Sequence, residues 1–95
     1  PAAGGRPLAV LPGSFNPLHR GHRLLAAVAG RRLGTDVHFE LSADNVDKLQ
    51  TITDIEIARR VAQFAGVGPV WVTRAARFTE KAALFPGAAF VVGWD

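Results

Sequence analysis

Short apolar runs alternate along this chain with longer stretches in which apolar residues recur every three or four positions. The runs are residues 7–11, 37–41, 70–72 and 88–92, each of strand length and bounded by Gly, Pro or polar residues. Between the first two, residues 20–33 predict a helix with Leu24, Leu25, Val28 and Leu33 on its buried side, stopped by Gly34. Thr53-Asp54-Ile55-Glu56 has the form of a capping box, so a second helix should start there and run to about Ala65. Its apolar stripe would be Ile55, Ala58, Val61, Ala62 and Ala65, and Gly66 would end it. A third helix falls within residues 74–84, and Pro86-Gly87 marks the step to the last strand. The order β-α-β-α-β-α-β predicts an α/β fold: a Rossmann-like parallel sheet of about four strands with helices on both faces. Right-handed crossovers would return the fourth strand beside the first.

The chain has 95 residues, 48% of them hydrophobic, enough for one small domain with its own core. It contains no Cys, which excludes disulfides, thiolate metal sites and thiol nucleophiles together. No apolar run has bilayer-spanning length and no signal-peptide pattern opens the chain, so a cytoplasmic protein without membrane contact is expected. The net charge of +3 is carried mostly by Arg, Lys48 and Lys81 being the lysines. Those Arg residues are dispersed and not interleaved with aromatics, which argues against nucleic-acid binding. The pairs Arg31-Arg32 and Arg59-Arg60 read as solvated helix faces, and Phe78, Phe85 and Phe90 as core.

Chemistry concentrates in residues 13–22, Gly-Ser-Phe-Asn-Pro-Leu-His-Arg-Gly-His. A strand, a Gly-containing turn and a helix start meet here, the arrangement that builds phosphate sites. Gly13 would permit a tight turn and let the backbone of Ser14 and Phe15 approach a phosphate. Asn16-Pro17 would lead the turn into the helix. His19 and His22, three positions apart, fall near one side of the helix entrance, and Gly21 between them removes a side chain that would crowd a nucleotide. Imidazoles beside phosphates should have raised pKa values. Two such donors suit a phosphorus centre whose charge builds on its oxygens during transfer.

Residues 13–22 resemble the HxGH signature of the nucleotidylyltransferase superfamily. The Asn-Pro form is most similar to nicotinamide or nicotinate mononucleotide adenylyltransferases. The resemblance extends through residues 39–48, 78–82, 84–87 and 90–95. It implies adenylyl transfer from ATP to a phosphate-bearing acceptor, dependent on a divalent cation, usually Mg2+. It also implies that His19 and His22 contact nucleotide phosphates, that residues 13–15 form the triphosphate loop, and that Gly93 and Asp95 belong to a nucleotide-contacting Gly-x-Asp element. Lys48 would be a phosphate ligand or else an ordinary solvated lysine. Asn16 stands where many relatives have Asp. The superfamily's Ile-Ser-x-Thr-x-x-Arg-like second phosphate element is absent from these residues, which reads as the first part of a longer nucleotidyltransferase.

Other readings stay open. The same chemistry serves phosphopantetheine adenylyltransferases and cytidylyltransferases. A non-catalytic nucleotide-binding or interaction module is a third option, with an open edge at strand four offering a route to homo-oligomers. G-x-G-x-x-G is missing, which argues against a dinucleotide-binding dehydrogenase, and His19 with His22 makes a poor zinc site without Cys or His-x-x-x-His. His38 reads as a packed or edge histidine, Asp44 and Asp47 as loop-shaping, and Trp71 as packed against a helix. Trp94 is either a base-stacking residue or a frayed end.

Overall fold

A computed structural model describes residues 6–43 and 52–93. Four parallel strands, β1 (Ala9–Gly13), β2 (His38–Ser42), β3 (Val70–Thr73) and β4 (Ala89–Phe90), lie in the order β3-β2-β1-β4. Helices α1 (Arg20–Leu33), α2 (Asp54–Ala62) and α3 (Phe78–Leu84) make the crossovers. The expected fold is present, including the return of β4 beside β1, where Ala9 pairs with Ala89 and Val10 with Phe90. β1 begins two residues later than the apolar run and includes Gly13, which pairs with Leu41. That register carries β1 to the start of the histidine-bearing loop.

Alternation along the strands sorts the two faces. Ala9, Leu11, Phe39, Leu41 and Val70 face one layer, together with Phe15 and Phe64. Leu18, Leu25, Ala26 and Ala29 cover it from the α1 side, and Ile57 and Val61 from α2. Phe15, Phe39 and Phe64 meet edge-on or tilted, with ring centroids 4.9–5.6 Å apart. The opposite face carries Glu40, Trp71 and Phe90, over which α3 and its end lie: Trp71 meets Phe85 edge-on at 5.6 Å, and Phe90 meets Phe78 at 5.9 Å.

Both long-helix faces differ from the expectation. In α1 only Leu25 of the predicted aliphatic side packs on the core, while Leu24, Val28 and Leu33 are exposed. The three phenylalanines already fill the space between the layers, so α1 approaches through Ala26 and Ala29. In α2 the core stripe is Ile57, Val61 and, just beyond the helix, Phe64; Ile55 is 85% exposed, and Ala58, Ala62 and Ala65 face solvent. The helix stops at Ala62 because the next amides of Gln63, Phe64 and Ala65 bond three residues back, tightening the chain so that Phe64 turns inward. Phe78 is also outside the core, 55% exposed, whereas Phe85 is buried.

Glu40 is fully buried in the middle of the sheet. Lys81 from α3 reaches both its oxygens, at 2.9 and 3.0 Å, and gives its third hydrogen bond to the Ala75 carbonyl at 2.6 Å. Thr73 Oγ1 donates to Glu40 Oε2 at 2.5 Å while accepting from the Ala75 amide. A buried charge is tolerated only when paired and hydrogen-bonded in this manner. The cluster ties α3 to the middle of β2 and the C-terminal end of β3.

Candidate active site

Between β1 and α1 the chain folds around Phe15. Its ring is buried at 1% exposure, although its backbone takes the left-handed region at φ 50°. That conformation is unfavourable for a bulky residue, and burial of the ring against Phe39 and Phe64 offsets it. Gly13 has no positive φ: a Cβ there would lie 2.9 Å from Phe15 Cζ. Its glycine character therefore serves to seat the Phe15 ring, a correction to the tight-turn expectation. The peptide between Asn16 and Pro17 is cis.

α2 clamps this loop. Gln63 Nε2 donates to the Phe15 carbonyl and Gln63 Oε1 accepts from the Leu18 amide, both at 2.8 Å. Arg60 Nη1 donates to the Ser14 carbonyl at 3.2 Å, and Arg59 Nη2 to Asn16 Oδ1 at 2.8 Å. Glu56 orients both guanidinium groups, accepting from Arg59 Nε at 2.8 Å and from Arg60 Nε at 2.6 Å. The two arginines hold the Glu56 carboxyl down at about 2, and Glu56 in turn raises Arg59. Arg59-Arg60 is thus no plain solvated face; the Arg60 side chain is only 12% exposed. The sequence signal was available: Glu56, Arg60 and Gln63 repeat at i, i+4, i+7, one position behind the core stripe of Ile57, Val61 and Phe64.

The two histidines start α1. His19 is its N-cap, and its Nδ1 accepts the Gly21 amide at 3.0 Å. His22 Nδ1 accepts the His19 amide at 3.1 Å, closing a reciprocal capping box. Their rings stack with centroids 3.8 Å apart, and Phe15 braces His22 edge-on at 4.9 Å. An Nδ1 that accepts an N–H is unprotonated, so the hydrogen-bond network assigns the ring proton of each neutral imidazole to Nε2. Both rings are fixed as Nε2–H donors. A Cβ at Gly21 would lie 2.9 Å from His19 Cε1; the glycine makes room for the histidine ring itself. The amides of His22 and Arg23 bond the His19 carbonyl. With Leu18, His19 and Gly21 also satisfied, the amides of this helix start are largely engaged.

Gly93 follows β4 and approaches α1: a Cβ on it would lie 3.2 Å from Leu25 Cδ2, one turn beyond His22. The end of β4 therefore comes to the helix that carries the histidines, as the strand order required. Lys48 and Asp95, with Asp44, Asp47 and Trp94, lie outside the described residues. His38 accepts a hydrogen bond from Trp71 Nε1 at 3.0 Å and sits in the sheet away from the loop. Among the described residues no group of three or more His, Asp or Glu side chains could hold a metal ion. Nor is any helix there long and apolar enough to cross a membrane.

Comparison with known families finds a match to the cytidylyltransferase-like family over residues 10–95. That span begins in β1 and takes in the loop, both histidines and all three crossovers. No curated protein and no solved structure matches the chain significantly.

Proposed function

Because the chain belongs to the cytidylyltransferase-like family, a family of nucleotidyl-transferring folds, we propose that it transfers the adenylyl group of ATP to a mononucleotide such as nicotinamide or nicotinate mononucleotide. One observation carries this reading: two stacked imidazoles at the start of α1, each pinned through Nδ1 to a backbone amide and so held as an Nε2–H donor. Directed donors of this kind stabilise charge that develops on phosphoryl oxygens, and they cost no reorganisation when the reaction occurs.

In the step itself, a phosphate oxygen of the acceptor attacks the α-phosphorus of ATP. The new P–O bond forms as the bond from the α-phosphorus to the bridging oxygen breaks, and pyrophosphate leaves with that electron pair. His19 and His22 donate to the oxygens on which charge accumulates. The loop of Gly13, Ser14, Phe15 and Asn16, with Gly21, holds the triphosphate in line, and the α2 clamp fixes the loop's position. Gly93, Asp95 and Lys48 complete the nucleotide contacts in this reading. Mg2+ accompanying ATP would neutralise charge on its phosphates.

Cytidylyl transfer from CTP is the second reading, favoured by the family description itself; phosphopantetheine is a further acceptor with the same chemistry. Pyrophosphate release by the full-length protein, measured with ATP or CTP against a panel of phosphorylated acceptors, separates these. His19→Ala and His22→Ala should each lower the rate by about 10²-fold or more, the scale of losing one transition-state donor, with the circular dichroism spectrum unchanged. Near-normal rates in both variants would overturn the mechanism. Saturable Mg-ATP binding without turnover on any acceptor would make the protein a nucleotide-binding module.

A further inference from the structure

A groove of about 1040 Å³ lies beside α1, between that helix and the segment joining α2 to β3. We propose that it binds a small amphipathic anion, with the anionic head at Arg20 and Arg23 and an apolar body lying along α1. His19 and Gln63 line the same groove at that end, so it adjoins the histidine site; the inference rests on the groove's lining and not on nucleotidyl transfer.

The walls divide by chemistry. Leu24 and Ala27 line it from α1, Val37 and Phe39 from β2, and Val67 from the connecting segment. Leu24 is 52% exposed here instead of packing on the core. Arg20 and Arg23 line the same groove at the N-terminal end of the helix. Among the described residues neither forms an ion pair or a side-chain hydrogen bond. No acidic residue occupies the first turn of α1, where the helix dipole already disfavours cations. Two uncompensated guanidinium groups at that end, one helical turn apart, present a fork that matches a phosphate, sulfonate or carboxylate.

Asp36 lines the groove in the α1–β2 connection, beyond the other end of the helix. Charge thus runs from cationic to anionic along the groove, which orients an anionic head toward Arg20 and Arg23. From Arg20 to Ala27 the helix rises ~10 Å, the room available for the apolar body. The volume is that of a small-molecule site. Gly68 keeps the wall opposite α1 low, with nothing but the Phe39 ring edge within 4 Å of a Cβ placed there.

The probe is n-octyl phosphate, whose chain has about that length, followed by amide chemical shifts in the ¹⁵N-labelled protein. Shifts should concentrate at residues 20–27 and 67–69. The neutral n-octyl glucoside and inorganic phosphate alone should each bind at least tenfold more weakly. The double variant Arg20→Gln/Arg23→Gln should lose at least tenfold in affinity, on the scale of one charged hydrogen bond. Ala27→Leu, which fills the groove from an exposed helix position, should lose binding while Mg-ATP affinity is retained. Equal binding of octyl glucoside, unchanged affinity in the Arg double variant, or unchanged affinity in Ala27→Leu would each overturn the proposal. Shifts confined to residues 13–16 and 19–22, without residues 23–27 or 67–69, would do the same, because they would place the phosphate in the histidine site.

Discussion

Replacing Lys81 by Met keeps the side-chain stem in place and removes the ammonium group. Glu40 then keeps the Thr73 hydroxyl and loses its cation, at a position with no exposure. The Ala75 carbonyl loses a 2.6 Å donor as well. Breaking a buried pair from one side costs about 3–5 kcal/mol. For a domain of this size each kcal/mol lowers the melting temperature by roughly 4–8 °C, so Lys81→Met should melt roughly 12–40 °C below the parent. That is a large share of a total stability of about 5–15 kcal/mol. The double variant Glu40→Gln/Lys81→Met removes the stranded charge and leaves Thr73 an amide oxygen to donate to. It should recover most of the loss, to within about 2 kcal/mol of the parent. Urea unfolding followed by far-ultraviolet circular dichroism gives all four corners of the cycle. If Lys81→Met lies within ~1 kcal/mol of the parent, or if the double variant is as unstable as the single, charge burial is not what makes this cluster matter.

Two further outcomes follow from the site. The Glu56 carboxyl is held at about 2, below its ordinary 4.5, so its contribution is fully present above pH 4.5 and fades as pH falls toward 2. The stability difference between the parent and Glu56→Gln should accordingly shrink across that window and be flat above it, as read by urea unfolding at a series of pH values; a difference that grows on acidification would refute the assignment. Gly21→Ala should push the His19 ring off the Gly21 amide, costing about 0.5–2 kcal/mol, the scale of a lost N-cap, and it should weaken Mg-ATP binding measured by calorimetry; unchanged affinity would show that His19 placement is not coupled to nucleotide binding.

The parallel sheet was legible because alternation of element types, chain direction and crossover handedness leave few choices, and the pairing of Ala9 with Ala89 is the direct outcome. The helix faces were less so. Leu24, Val28 and Leu33 make a convincing apolar side until the volumes of Phe15, Phe39 and Phe64 are counted, since those rings leave α1 room for alanines. Glu40 reads as a polar interruption in an apolar strand, and nothing local identifies Lys81, 41 residues away, as its partner. The histidine pair was visible as chemistry. That both rings would spend Nδ1 on backbone amides, and thereby fix their donors, follows only once the chain is folded about His19.

If His19 and His22 act as proposed, the reciprocal cap at the start of α1 makes one pair of side chains answer to two selective demands. Ser, Thr, Asp and Asn are the favoured N-caps, so a screen for heat resistance would tend to exchange His19 for one of them. Such a winner would begin its helix well and lack the imidazole donor. Ageing in the test tube, directed evolution for robustness and consensus redesign would all drift the same way unless catalysis is scored alongside. With His19 in its proposed role, durability and chemistry compete at a single residue, one of the ordinary origins of the stability–activity trade-off.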